Sequence, residues 1–313
     1  MITLEDVKQA AARITPFVRM TPLVAARCMK DSPFPDGELF LKLECLQATG
    51  SFKARGAANK LLSLSEAEVR RGIVTASGGN HGLAVAYVGW LGKTKTTVYL
   101  PDNASPEKLK KIQHWGATVR IKGHQWHEAN REALAVAERE GLTYFHPFAD
   151  PVVIAGQGTT ALEILDQAPE VEEILVAIGG GGLISGISLA AKTLRPSIRI
   201  VGIEPTGSPT LLECLKAGRV VELPRITTVV PTMACARTEP INYEIVRQYV
   251  DEIVLVTDDD MREAARWLWF EMGIATDLSG AATIAALRSG AVRPPKGRKV
   301  CALVCGAGPD GMQ

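Results

Sequence analysis

The sequence predicts an α/β protein of two lobes, each a mostly parallel sheet flanked by helices. Three observations carry this expectation. Short apolar runs alternate with amphipathic helical stretches, the pattern left by βαβ units. Two glycine-rich turns stand between an apolar run and a helix, TASGGNHG at 75–82 and IGGGGLISGIS at 178–188. The chain of 313 residues, 46% hydrophobic, is long enough to fill two cores.

The opening stretch MITLEDVKQAAARI carries acids early and reads as a helix, with no signal peptide expected ahead of it. Strand candidates follow: LFLKLE (39–44), GIVTAS (72–77), TTVYLP (96–101), TVRIKG (118–123), EILVAI (173–178), RIVGIE (199–204), EIVLVT (252–257) and KVCALVC (299–305). Helix ends are legible between them. Ser65 and Glu68 have the spacing of a capping box. Ser105 is the expected cap of EKLKKIQHWG, with Pro106 at the first helical position and Gly116 as the stop. Asp258–Asp260 precede MREAARWLWFEMG, which closes at Gly273. Three strand candidates fall within 72–147, a small domain. The large domain is discontinuous, 1–71 with 148–313, and a cleft between the two is the natural place for a ligand.

Composition excludes several classes. A net charge of +1 gives no pull toward nucleic acid or an anionic membrane. No apolar run approaches the roughly 18 residues of a spanning helix. The six cysteines, Cys28, Cys45, Cys214, Cys235, Cys301 and Cys305, form no CxxC pair and no zinc pattern. Reduced thiols in a cytoplasmic enzyme are the expectation.

Three stretches carry chemistry. In SFKARGAANK, Lys53 follows a helix start, where the helix dipole opposes a cation. Gly179, Gly180, Gly181 and Gly182 let backbone N–H groups converge on an anion at a helix N-terminus. The run is neither GxGxxG nor GxxxxGK[ST], so it points to a single phosphate rather than a dinucleotide or a nucleoside triphosphate. In TASGGNHG, Gly78 and Gly79 expose backbone donors beside Ser77, Asn80 and His81, a cradle for a carboxylate. A lysine, a phosphate cup and a carboxylate cup together suggest an aldehyde cofactor bearing a phosphate. The helix N-terminus and apolar neighbours would lower the Lys53 pKa and favour the free amine that attacks an aldehyde.

LKLECLQATGSFKARGAANKL, TASGGNHGLAVA, HPFADPVVIAGQGTTALEIL and IGGGGLISGIS resemble, in this order, the fold-type II pyridoxal-phosphate (PLP) enzymes, whose fold is tryptophan synthase β-like. Within them the similarity is to the serine/threonine dehydratase and serine racemase group, from about Thr21 to Gly306. The resemblance makes the large domain the PLP-binding one. It implies that Lys53 holds the cofactor as a Schiff base and shuttles protons, with Phe52 against the cofactor face. Asn80 would bond the cofactor 3′-oxygen, while Ser77, Gly78, Gly79 and His81 surround the substrate carboxylate. Gly179, Gly180, Gly181, Gly182 and Leu183 would hold the phosphate, and Cys305 would lie near the pyridine nitrogen. A thiol is a weak donor, which leaves that nitrogen unprotonated and suits β-elimination.

Departures from the group sharpen the expectation. Racemases of the group carry a serine where this chain has Gly78, so the second face of the cofactor lacks a side-chain acid. Only Glu204 remains of the carboxylates that bind a divalent cation in some members; no metal is expected, and Glu204 reads as a structural cap. The stretches Asp277-Leu278-Ser279-Gly280-Ala281 and MACARTEP (233–240) differ from the usual pattern near the pocket. The implied function is PLP-dependent dehydration and deamination of L-threonine, L-serine or a related β-hydroxy amino acid to a 2-oxo acid and ammonia. A racemase, a β-replacement enzyme or a non-catalytic PLP-binding protein on the same fold are the alternatives. Family habit points to a homodimer.

Overall fold

The structure, a computed structural model, describes residues 2–102, 104, 106–124 and 126–312. Helix α1 (Leu4–Ile14) opens the chain, capped by a reciprocal Thr3–Asp6 box, and buries Val7, Ala10 and Ile14 at helical spacing. Strand β1 (Leu23–Ala25) runs antiparallel to β2 (Glu38–Lys42). Helices α2 (Lys53–Leu62) and α3 (Glu66–Arg71) follow, and the Ser65–Glu68 capping box forms as expected.

The smaller sheet is built from one continuous stretch. Strand β3 (Ile73–Ala76), α4 (Asn80–Leu91), β4 (Thr96–Leu100), α5 (Pro106–His114), β5 (Thr118–Ile121), α6 (Trp126–Glu140) and β6 (Thr143–Tyr144) alternate along it. The strands are parallel in the order β5-β4-β3-β6. Four strands therefore replace the three read from sequence; the two-residue β6 has no apolar run to announce it. Gly116, with φ +82, follows the end of α5, whereas the expected cap Ser105 lies outside the described residues. All four positions of β3 are buried, as befits a parallel strand covered on both faces. Val74 and Ala76 pack on Ala129 and Ala133 of α6; Ile73 packs with Ala54, Val85 and Phe145.

The larger sheet receives the remaining strands. After α7 (Pro151–Gln167) come β7 (Glu173–Ala177), α8 (Gly182–Leu194), β8 (Arg199–Pro205), α9 (Thr210–Ala217), α10 (Pro240–Tyr249), β9 (Glu252–Val256), α11 (Asp258–Met272), α12 (Leu278–Arg288) and β10 (Lys299–Leu303). The order is β1-β2-β10-β7-β8-β9, parallel except for β1. Thr257 caps α11, so Asp258–Asp260 lie inside its first turn rather than before it, and left-handed Gly273 ends it. The chain winds outward from β7 through β8 to β9, then returns to set β10 on the other side of β7. Such a reversal opens a crevice at the carboxyl ends of the two strands. Among the described residues no helix is long and apolar enough to cross a membrane.

Candidate active site

A cleft of about 1060 Å³ lies where the carboxyl ends of β3 and β7 and the turn after β10 converge. Phe52 and Lys53 line it, as do Ser77, Gly78, Gly79, Asn80 and His81, then Gly179, Gly180, Gly181, Gly182, Leu183 and Cys305. The residues expected from sequence to hold cofactor or substrate all line this one cleft.

Lys53 is the first residue of α2, and no acid stands in that first turn. Its amine donates to the Pro147 carbonyl at 2.5 Å and lies 5.1 Å from the centroid of the Phe52 ring. The surrounding protein strips it of water, which lowers its pKa to about 8. Two residues on, Arg55 has the opposite circumstances. Its guanidinium is buried against Glu44 at 2.7 Å and Glu163 at 2.6 Å, and Glu163 also takes Lys42. One cation of the turn is neutralised by carboxylates and anchors the helix. The other faces the cleft with none.

The glycine run carries β7 into α8. Gly181, at φ +98, caps the helix in a conformation that L side chains avoid. A Cβ at Gly180 would stand 2.3 Å from the Phe148 ring, so the bare backbone is wedged under that side chain. The first amides of α8 have no intrahelical acceptor and remain available to an anion.

The second cradle joins β3 to α4, whose cap, Gly79, makes no side-chain capping bond. The Gly79 amide donates to the Ser77 hydroxyl at 3.3 Å. The His81 ring turns away from the cleft chemistry: Nε2 donates to the Phe145 carbonyl at 3.0 Å, and burial drops its pKa to about 3. His81 is a neutral brace at neutral pH, its ring tied to the Phe145 carbonyl.

Asn80 donates to Asp277 at 3.1 Å, a contact that gives a half-buried carboxylate, expected only to lie near the pocket, a direct link to the site. Asp277 caps α12 through the Gly280 amide and accepts from the Ser279 hydroxyl at 2.7 Å; the Cys305 thiol lies 3.7 Å from that hydroxyl. Burial raises the pKa of Asp277 and pushes the Cys305 thiol up as well. The departure at Asp277–Ala281 marked the stretch in the sequence, but not the bonds that tie it to Asn80 and Cys305. His146, Phe148, Pro231 and Thr232 also line the cleft and were missed, whereas Met233–Arg237 belong to the MACARTEP stretch expected near the pocket. Glu204 accepts from the amides of Leu211 and Leu212 at 2.8 and 3.0 Å, the capping role expected of it. Among the described residues no group of three His, Cys, Asp or Glu is placed to hold a metal ion.

An unneutralised amine, an anion cup at one helix N-terminus and a second glycine cradle define a site for an aldehyde cofactor that carries a phosphate. A family model described as pyridoxal-phosphate dependent enzyme matches residues 14–306, and the chain belongs to that family. Among curated proteins, an L-threonine ammonia-lyase of Thermotoga maritima is 37% identical over 310 residues, covering 99% of this chain and 76% of that protein. A catabolic L-threonine dehydratase of Staphylococcus aureus is 36% identical over 312 residues, covering 99% and 90%. Among solved structures, maize serine racemase superposes with a TM-score of 0.93 at 32% identity, covering 98% of this chain and 93% of that one. A T.th. threonine deaminase gives 0.89 at 33% identity, covering 97% and 98%. The cofactor is PLP, and the site fits it: the amine bonds a carbonyl but no carboxylate among the described residues, and the glycine backbone lies where side chains would collide with Phe148.

Proposed function

We propose that this chain dehydrates and deaminates L-threonine, L-serine or a related β-hydroxy amino acid, releasing a 2-oxo acid and ammonia. The observation that carries this reading is the Lys53 amine, which lines one cleft with both glycine cradles and pairs with no carboxylate among the described residues. The names of the relatives, threonine ammonia-lyase and dehydratase, support it. When bound, PLP supplies an aldehyde for the substrate amine and a ring that draws electrons from the α-carbon.

The protein's own residues do the rest. Lys53 would hold the cofactor covalently and remove the α-proton. Gly179–Gly182 and Leu183 would hold the phosphate with the α8 amides, and Phe52 would cover the ring. Asn80, which donates to Asp277, would bond the ring oxygen, and Cys305 would stand toward the ring nitrogen. Ser77, Gly78, Gly79 and His81 bind the substrate carboxylate at the α4 N-terminus. Loss of the β-hydroxyl together with that α-proton, one water in all, leaves an enamine, which hydrolyses to the 2-oxo acid and ammonia. We divide the chain into a small domain, 72–147, and a PLP-binding domain, 1–71 with 148–313; strands β3–β6 pairing only with one another supports this. A cytoplasmic homodimer rests on the family resemblance alone.

Serine racemases among the similar structures raise racemisation as a second reading. Gly78 weighs against it, since it brings no hydroxyl to the cleft. The test is a panel of β-hydroxy amino acids assayed for ammonia and 2-oxo acid. At least one should turn over, and Lys53→Ala should abolish it. A silent panel overturns the proposal.

A further inference from the structure

The segment His146-Pro147-Phe148 joins β6 to α7 and touches both halves of the site. Pro147 accepts from Lys53, and Phe148 lies on Gly180. His146 itself has no role in the function proposed above, yet its ring is held in one state. Nδ1 accepts from the amides of Phe148 at 3.2 Å and Ala149 at 2.8 Å. Backbone N–H groups only donate, so Nδ1 carries a lone pair and the ring proton sits on Nε2. Edge contacts to Phe148 at 4.7 Å and Tyr144 at 6.2 Å fix the ring plane. Nε2 has no hydrogen-bond partner among the described residues, and the residue lines the cleft. Burial, with the Lys53 charge nearby, lowers its pKa to about 4. At neutral pH the ring is a fixed donor, not a proton carrier.

A β-hydroxy amino acid has three polar groups. The cofactor takes the amine, and the α4 N-terminus takes the carboxylate. The hydroxyl remains, and so does one unused donor beside Lys53. Resting on the function proposed above, we propose that the His146 Nε2–H group donates a hydrogen bond to the β-hydroxyl oxygen of the substrate and steadies it as the C–O bond breaks; the departing hydroxide and the α-proton taken by Lys53 together make the one water that is lost. Charge builds on that oxygen during elimination, so the bond strengthens toward the transition state.

Two variants of the holoenzyme separate this role from support of the loop. His146→Asn places an amide oxygen near the Nδ1 position and keeps the loop bonds, but leaves the Nε2 position empty. His146→Gln returns an amide N–H near the Nε2 position. Each is assayed on L-serine and on β-chloro-L-alanine, whose chloride leaves without a strong hydrogen-bond donor. His146→Asn should lose about 10²–10³ in kcat/KM on L-serine and stay within a few-fold on the chloride, the loss seen when one oxyanion donor is removed. His146→Gln should recover part of the serine rate. Cofactor affinity by absorbance titration should be unchanged in His146→Asn, and ¹⁵N NMR of the cofactor-free parent should show the Nε2–H tautomer from about pH 5 to 8. Equal losses on both substrates, or no loss on serine, would overturn the assignment; so would an Nδ1–H tautomer. A parent inert on both substrates would instead overturn the elimination reading beneath it.

Discussion

Replacing Lys53 by Met should stabilise the cofactor-free protein at neutral pH while abolishing turnover. The folded chain holds the Lys53 proton only up to about pH 8, against a reference value of 10.5. Between those values the unfolded chain binds more protons than the folded one, so stability rises with pH through that window. At lower pH the folded state carries the full penalty of an unpaired ammonium. A gap of about 2.5 pH units at about 1.4 kcal/mol each sets that penalty at roughly 3 kcal/mol. Water in the open cleft and the lost bond to Pro147 reduce the net gain, leaving about 1–3 kcal/mol for Lys53→Met at pH 7. At pH 10 the parent's penalty has mostly gone and the advantage should shrink below about 1 kcal/mol. Urea unfolding of parent and variant at both pH values reads this directly. A variant no more stable than its parent at pH 7, or an advantage equally large at pH 10, would refute the account of Lys53 as an amine kept unpaired for chemistry.

Three further outcomes follow from the site. Borohydride added to the yellow holoenzyme should fix a pyridoxyl group on Lys53, located by peptide mass spectrometry; finding it on another lysine would reassign the site. Gly180→Val should drive its Cβ into the Phe148 ring, 2.3 Å away in the present geometry, and displace the loop. Strain of about 1–3 kcal/mol corresponds to roughly 5- to 150-fold weaker PLP binding, with the far-ultraviolet circular dichroism retained. At Gly78 an added Cβ would meet only Leu100 at 3.4 Å and Ala104 at 3.7 Å, so Gly78→Ser should fold. Chiral analysis of serine should show racemisation rising relative to pyruvate formation; rapid D-serine formation by the parent would contradict the role given to Gly78.

The parts of the fold legible in the sequence were those written in local chemistry. Strand β7 is a continuous buried run, EILVA, and it was read almost to the residue. Ser65 with Glu68, and Gly273, marked helix ends because capping is a short-range bond between neighbours. Strands β1 and β6 escaped because three and two residues hold no period, and only pairing with β2 and β3 makes them strands. The site divides in the same way. Glycine loops and the lysine are contiguous motifs and were found. Asp277 and Asn80 are 197 positions apart, and Arg55 and Glu163 are 108 apart, so neither partnership leaves a local trace.

What places the lysine amine beside Cys305 is backbone, and the stretch TGSFKARG shows how. Thr49 and Gly50 both adopt positive φ, 64° and 81°, which turns the chain sharply before α2. Only glycine adopts that region freely, so Thr49 marks strain stored next to the site. The turn is stitched to the segment after β10. Ala307 donates to the Gly50 carbonyl at 2.8 Å, Phe52 donates to the Cys305 carbonyl at 3.3 Å, and Ser51 forms a bridge with Gly306. On the other side Arg55, locked by Glu44 and Glu163, stops the helix from shifting along its axis. Lys53 is thus held between a backbone clamp and a buried ion-pair network, two residues from the nearest neutralising carboxylates and out of their reach. Swapping the two cations would not preserve the arrangement. A lysine at 55 has three donors against the four bonds that Arg55 makes to Glu44 and Glu163, and an arginine at 53 keeps its proton at every relevant pH. The order Lys-Ala-Arg is therefore required by chemistry at the first position and by anchoring at the third.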